Sequence, residues 1–251
     1  MEAGSGNRFR LIYLRSMGEE KAATEDLSPS CSLKKDSTPI PSLPDSPGNF
    51  SSKALLQQAQ VDLRHSDPKV RILALQYLEK LHASVALPLL QETLSDQDPE
   101  VRTQALSSLV RFHNPALNPL FRKFLKDDSP MVRITALKGM FQCQERIDLN
   151  ILLQLMSDES PWVRRKTATL LGWAPIEGVL PILVQMSSDQ DQRVRKAALF
   201  SLMTLYPEEG EDRLLKAMTD PDQDLRKWAK KTLEKRLSKP GKRISSLSAG
   251  T

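Results

Sequence analysis

The sequence predicts an all-α protein, a solenoid of two-helix repeats, and two observations support this prediction. The first is a Val-Arg or Leu-Arg dipeptide that recurs six times at intervals of 31 residues without an insertion. The second is a pattern of apolar residues at helical spacing that follows each dipeptide. A fixed period of this length is typical of solenoids, in which each repeat buries its apolar face against its neighbours.

The first helix of each repeat has a clear predicted start. Three residues before each Val or Leu stands an Asp or Ser, which suits the N-cap of a helix. In four repeats a proline follows at the first helical position, where its missing N–H is tolerated. A small residue four positions after the Val and a large one eight positions after it, such as Ala74 and Leu78, complete the apolar face. The six predicted N-caps are Asp67, Asp98, Ser129, Ser160, Asp191 and Asp222.

A second helix is predicted to follow in the repeats. It carries adjacent apolar residues such as Leu89 and Leu90, and the same period places an aspartate at its predicted end. Ala59 and Leu63 fit the register of a half-repeat before the first complete one. The aspartates at the predicted helix ends are Asp96, Asp127, Asp158, Asp189 and Asp220.

These residues resemble the HEAT-like repeat, in the short form that is also found in phycobilisome lyases. The matching string is D-x-D-P-x-V-R-x-x-A-x-x-x-L. The resemblance spans about residues 53–237 and implies a right-handed α-solenoid of 31-residue, two-helix, armadillo-like repeats. It is specific for the fold and nearly silent on function, because such repeats serve scaffolds, adaptors and a few enzymes.

Composition divides the chain into three predicted segments. Residues 1–52 are predicted to be a disordered Ser/Pro-rich tail, residues 53–237 the solenoid, and residues 238–251 a disordered basic tail. The net charge of +5 belongs to the C-terminal end, since residues 226–251 hold nine Lys or Arg and one acid. Residues 51–225, with 21 basic and 23 acidic side chains, lack the positive charge that nucleic acid demands. We therefore do not expect nucleic acid as a partner of the array.

The six dipeptide arginines allow two interpretations. They could bind phosphate, or each could pair with an aspartate five or six residues earlier, as Arg102 with Asp96, at the end of the preceding helix. We favour the second, a structural ladder that bridges adjacent repeats, because it satisfies both charged groups. HEAT-like proteins, which this sequence resembles, use such pairs structurally. The predicted ladder is Arg71, Arg102, Arg133, Arg164, Arg195 and Arg226.

No catalytic or metal-binding set is evident in the sequence. The histidines, His65, His82 and His113, occupy different repeat positions. None is followed by the glutamate that a HEAT-like hydroxylase of the deoxyhypusine type would need to hold two irons. Cys143 has no His in register and Cys31 lies in the predicted tail, so neither a zinc set nor a thiol nucleophile is indicated. We expect a protein that is not an enzyme, with no cofactor and no metal.

One position of the second helices suggests a binding surface. Down the array it is Gln91, Arg122, Leu153, Val184 and Leu215, polar in the first two repeats and apolar in the next three. If this position faces the concave surface, its three apolar residues form a continuous hydrophobic stripe, which usually marks a partner site. The alternative is that the position is tucked between neighbouring helices.

Two tryptophans of one repeat are further candidates. Trp162 stands just before its Val, and Trp173 closes the same helix. Exposed tryptophans are favoured hot-spot residues at interfaces. A Trp beside the Val is also ordinary in the family that the sequence resembles. Both tryptophans are therefore carried as partner-binding candidates beside the stripe.

The basic end allows three interpretations. Position five after the Val is apolar in five repeats and Lys230 in the sixth, which, with Arg236, suits a capping helix with a polar outer face. Two basic pairs ten residues apart also resemble a bipartite nuclear import signal. The same charges could contact nucleic acid or anionic lipid. The residues concerned are Lys230, Lys231, Lys235, Arg236, Lys242 and Arg243.

The predicted function is a non-catalytic scaffold or adaptor that binds a partner peptide or helix along the solenoid surface. Two alternatives stay open: an enzyme or enzyme subunit resembling the bilin lyases, and a polyanion-binding protein that acts through its basic end. No signal peptide and no apolar run long enough to span a bilayer appears. We expect an intracellular monomer in the cytoplasm, with nuclear import as an open alternative.

Overall fold

The computed structural model describes residues 52–143, 147–173 and 176–238, and all regular structure in these residues is helical. Of the predicted tails, 1–52 and 238–251, all but Ser52 and Ser238 lie outside this part of the chain. None of the described helices is both long and apolar enough to cross a membrane. The α-helices are α1 (Ser52–Asp62), α2 (Pro68–Leu78), α3 (Ala83–Thr93), α4 (Pro99–Val110), α5 (Asn118–Phe124), α6 (Pro130–Gln142), α7 (Leu149–Met156), α8 (Pro161–Leu171), α9 (Val179–Met186), α10 (Gln192–Leu205), α11 (Pro207–Lys216) and α12 (Gln223–Leu237). Short 3-10 segments at Pro115–Leu117 and Ala217–Thr219 precede α5 and follow α11.

The helices form the predicted two-helix repeats. The even-numbered helices from α2 to α12 are the first helices of the repeats, and the odd-numbered helices from α3 to α11 are the second. From α2 to α10, each first helix contacts the next first helix along the array. Each second helix packs against the first helix of the following repeat, and α1 packs in the same way against α2. The prediction of an all-α solenoid is confirmed.

The first helices begin at the predicted N-caps. Asp98 accepts two hydrogen bonds from the first-turn N–H groups of α4, at 2.7 and 3.3 Å. Ser129 and Ser160 occupy the cap position without a side-chain bond to their helices. Their own N–H groups donate instead to carboxylates two residues earlier, Asp127 and Asp158, both at 2.8 Å. Side chains of the turn itself thus stabilise the turn before each first helix through hydrogen bonds.

The apolar face of the first helices is buried as predicted. Every small position and every large position is buried, from Ala74 and Leu78 in the first repeat to Ala229 and Leu233 in the sixth. Thr167 is the small position with a hydroxyl, which donates to the carbonyl four residues earlier at 2.9 Å. The core therefore lies at the interfaces between successive repeats.

The second helices end before the aspartates that mark their predicted ends. The last residue of α3 is Thr93 and that of α7 is Met156. Asp96 and Asp158 follow two or three residues later, in the turn. This places each carboxylate where a side chain from the first helix of its own repeat can reach it.

Candidate functional site

The repeated arginines form the most regular polar feature of the described chain. Arg102 donates through Nε and Nη2 to the two carboxylate oxygens of Asp127, at 2.9 and 2.8 Å. Its Nη1 donates to the carbonyl oxygens of Asp96 and Gln97, at 2.9 and 3.1 Å. Each guanidinium thereby joins the turn before its helix to the turn that ends its own repeat. The same bidentate pairing joins Arg71 to Asp96, Arg133 to Asp158, Arg164 to Asp189 and Arg195 to Asp220.

The pairing differs in register from the predicted one. Asp96 offers Arg102, six residues later, only its carbonyl oxygen and gives its carboxylate to Arg71. The reason is that Oδ1 of Asp96 also accepts from the N–H of Asp98 at 2.9 Å, which turns the carboxylate toward α2. Arg226 donates to carbonyl oxygens of the turn before α12, and the position 25 residues after it lies outside the described part of the chain.

The ladder favours the charged forms of Asp127, Asp220 and Arg102. Burial tends to raise the pKa of Asp127, but hydrogen bonds from Arg102 and from the Ser129 N–H outweigh it and hold that pKa below its ordinary value. The same balance lowers the pKa of Asp220, which accepts from Arg195. The hydrogen bond to Asp127 in turn raises the pKa of Arg102. Because their donors already serve these bonds, the paired arginines favour the structural interpretation over a phosphate site.

The second-helix surface carries exposed apolar side chains on α7. Leu149 and Leu153, one turn apart, are 40% and 48% exposed. Val184 on α9 and Leu215 on α11 are half-buried and pack against core clusters. The predicted stripe is therefore not evenly accessible, because neighbouring helices cover Val184 and Leu215. Leu149 was not among the predicted residues, although its spacing of four from Leu153 places it on the same helical face.

Trp162 is held in a stack between two repeats. The guanidinium of Arg193, one repeat later, lies 4.3 Å from the centroid of the Trp162 ring, and that of Arg165 lies 5.9 Å away. Asp191 fixes Arg193 through two side-chain hydrogen bonds of 3.1 and 2.7 Å. Trp162 is half-buried, as is Trp173 just beyond the end of α8. Part of each indole is thus covered by its own protein.

The basic residues of α12 have two different environments. Lys230, Lys231 and Lys235 are exposed. Arg236 instead turns back toward α11, where its Nη2 donates to Glu211 at 2.5 Å. The structure therefore places Arg236 in the interface between α11 and α12 rather than on the predicted polar outer face, because the Glu211 carboxylate draws it there. The remaining predicted members, Lys242 and Arg243, lie outside the described residues.

A further apolar feature, absent from the predicted set, lies between α10 and α12. Phe200 is 54% exposed and lines a groove of about 230 Å³ with Met203 and Trp228. The sequence does contain a signal for it. Position six after the Val is polar in all five of the remaining repeats. Phe200 is therefore an apolar residue at a position that otherwise faces solvent.

The histidines and the described cysteine have local roles. Nδ1 of His65 accepts from the N–H of Asp67 at 3.0 Å, and His82 is the N-cap of α3. His113 has a left-handed backbone, with φ of 48°. Cys143 is buried. Within residues 52–143, 147–173 and 176–238, no three His, Cys, Asp or Glu side chains are grouped so that they could hold a metal ion.

Comparison with protein families matches three overlapping stretches of the chain, residues 52–140, 89–167 and 149–234, to HEAT repeats. The chain belongs to the HEAT repeat family, and the resemblance inferred from its sequence is confirmed. No curated protein matches the chain significantly.

Solved structures share the fold at low sequence identity. The complex of CpcE and CpcF of phycocyanin lyase from Nostoc sp. PCC7120 is 20% identical, with a TM-score of 0.51 over 75% of this chain and 79% of that chain. The Escherichia coli protein YibA is 21% identical, with a TM-score of 0.56 over 74% of this chain and 71% of that chain. A computationally designed armadillo repeat protein for modular peptide recognition is 22% identical, with a TM-score of 0.47 over 72% and 98% of the two chains. At these identities the likeness concerns the fold alone.

Proposed function

We propose that this chain is a non-catalytic adaptor that binds a partner protein, as a peptide or a helix, on the second-helix surface around Leu149 and Leu153. The observation that carries the proposal is the exposure of both leucines on one face of α7. Large aliphatic side chains that stand together in water are usual at partner sites, because binding removes their surface from the solvent. Such a role needs a complementary surface and no reacting group.

The packing of α7 against the array supports this role. Leu152, Leu155 and Met156 of the same helix are buried. Leu149 lies beside the turn before α9, where a Cβ at Gly178 would approach its side chain to 3.3 Å. A surface that is already ordered loses little conformational entropy on binding, so its apolar area contributes more fully to affinity.

The test is a double substitution, Leu149→Glu with Leu153→Glu. Both side chains face solvent, so the helix should stay folded, while the added carboxylates oppose burial against an apolar partner. Val184 is left unchanged because it is half-buried and a carboxylate there would disturb the core. Partners are identified by affinity purification with mass spectrometry, then purified and measured directly. We expect affinity to fall by at least about tenfold with an unchanged circular dichroism spectrum.

The matched control is Val61→Glu with Val85→Glu, which adds the same charge at two other exposed positions, on α1 and α3. This control should leave the purified partner bound. Equal affinity of the partner for the α7 variant and the control would show that the leucines are not the site. Covalent change of a partner by the purified chain would overturn the adaptor role itself.

A further inference from the structure

The stacking of the first helices changes between α10 and α12. From α2 to α10, successive first helices are in direct contact. Between α10 and α12 there is instead a groove of about 230 Å³. It is lined by Phe200, Met203, Thr204, Trp228, Thr232, Lys235 and Arg236. The groove is on the first helices and is therefore distinct from the surface around Leu149 and Leu153.

The facing residues at the groove are larger than those at the contact one repeat earlier. Where α8 meets α10, Gly172 lets Ser201 approach so closely that a Cβ at Gly172 would clash with its hydroxyl oxygen. Ser201 Oγ donates to the carbonyl of Ala168 at 2.7 Å. One period later the corresponding residues are Met203 and Thr232, which are both larger. The close approach that Gly172 and Ser201 allow between α8 and α10 is therefore not repeated between α10 and α12.

The groove combines apolar walls with exposed lysines, while α12 also carries the exposed carboxylates of Asp224 and Glu234. Phe200 is 54% exposed, and Trp228 is half-buried, with Nζ of Lys196 lying 5.5 Å from the centroid of its ring. Lys196, Lys231 and Lys235 are exposed. The sequence of α10 contains no acidic residue. An apolar recess flanked by lysines is complementary to an apolar side chain flanked by carboxylates.

We propose that this groove binds an acidic segment of a partner protein, with one bulky apolar side chain seated between Phe200 and Trp228. Carboxylates of the segment would then contact Lys196 and Lys235 at the two ends. The volume is below the roughly 300 Å³ of a typical small-molecule pocket, which suits a single side chain. A peptide supplies both the apolar side chain for the recess and the carboxylates for the lysines, and we therefore favour it over a nucleic acid.

The experiment uses the full chain and two defined probes. The acidic probe is a short fluorescent amphipathic helix with leucines on one face and glutamates on the other, and the basic probe has lysine at every glutamate. We expect the acidic probe to bind saturably in fluorescence anisotropy and the basic probe not to bind. Phe200→Glu should weaken the acidic probe by at least about tenfold, because it puts a like charge at the mouth of the recess. Met131→Glu, at another exposed apolar residue of a first helix, is the matched control and should bind as the unsubstituted chain does.

A charge-reversal variant distinguishes binding in this groove from non-specific binding. Lys196→Glu with Lys235→Glu should lose the acidic probe and acquire the basic one. Binding of the acidic probe that is unchanged in both the Phe200→Glu and the charge-reversal variants would overturn the proposal. It would also be overturned if oligo-dT or phosphatidylserine vesicles, rather than the acidic probe, bound in a manner that Phe200→Glu abolishes. The double leucine variant of α7 should bind the probe normally, so failure at one surface is distinguishable from failure at the other.

Discussion

Single residues of the arginine ladder hold successive turns of the solenoid together. Each paired guanidinium meets the carboxylate of its aspartate and two carbonyl oxygens while it is largely withdrawn from water, as for Arg164 and Asp189. A buried ion pair stabilises the fold only while both partners are present, because a lone buried charge has lost its hydration without replacement. The ladder should therefore tolerate joint replacement better than removal of one partner.

Asp127→Ala should destabilise the chain by about 3–5 kcal/mol, because Arg102 is then left largely buried without its carboxylate. The double variant Arg102→Met with Asp127→Leu should recover much of this loss, since no unpaired charge remains. Urea unfolding followed by circular dichroism measures both. A double variant that is less stable than Asp127→Ala would show that the cost is not one of unpaired charge.

Protonation of Asp127 and Asp220 should lower the stability of the folded chain in acid. The pKa of Asp127 and of Asp220 lies below the value of 3.8 for an unperturbed carboxyl, so the unfolded chain takes up these protons first. Their stabilisation is complete at neutral pH and is lost as the pH falls below about 5 and through the depressed folded-state pKa. The urea midpoint of unfolding should therefore decrease as the pH is lowered from about 7 to about 3. The decrease should be smaller for Asp127→Asn. Parallel pH curves for the two proteins would contradict this linkage.

At the scale of helices, glycines at contact points set how closely neighbours approach. Gly210 on α11 faces the backbone of α10, where a Cβ would lie 2.7 Å from the amide nitrogen of Met203 and 2.8 Å from its Cα. These are main-chain atoms, which cannot rotate away as a side chain can. The contact between α10 and α11 therefore depends on the absence of a side chain at this position.

Gly210→Ala should destabilise the chain by about 1–3 kcal/mol, because it forces the two helices apart. The sign of the change in stability is informative, because alanine in place of glycine stabilises a helix by about 1 kcal/mol where no clash occurs. Thermal unfolding measures the change, with Asp212→Ala at an exposed position of α11 as the control. A midpoint that rises in the Gly210 variant would mean that the helices are not in this close contact.

At the scale of the whole array, the core is divided unequally. One hydrophobic cluster includes buried residues from Ala59 on α1 to Leu202 on α10. A second cluster at the C-terminal end joins Leu199 and Leu214 to residues of α12. Because each repeat of a solenoid is stabilised by its immediate neighbours, a local defect should spread to adjacent repeats and fade with distance.

Leu109→Ala should destabilise the chain by about 2–5 kcal/mol, because the side chain is fully buried and its loss leaves a cavity. Hydrogen exchange should show lost protection in α2, α4 and α6, while α12 keeps most of its own. Met131→Ala, at an exposed position of α6, should change stability by less than about 0.5 kcal/mol. Equal loss of protection in every helix would indicate that the array unfolds as one unit.

The sequence by itself determined the repeat architecture. A strict period of 31 residues gives every repeat the same neighbours, so the N-caps, the first-turn prolines and the buried positions all indicate one fold. Asp98 begins α4 and Leu109 is buried in it, as their places in the repeat require. These features depend on residues a few positions apart, whose geometry a helix fixes in advance.

Only the tertiary structure decided which groups meet and which side chains face water. Arg102 pairs with Asp127 rather than with the carboxylate of Asp96, Leu153 is exposed while Val184 is covered, and a groove opens beside Phe200. Each of these outcomes depends on distances between residues about one repeat apart and on the volumes of side chains that face each other across two helices. The repeat period fixes which positions face each other but not the volumes of the side chains at those positions. It therefore cannot specify these contacts.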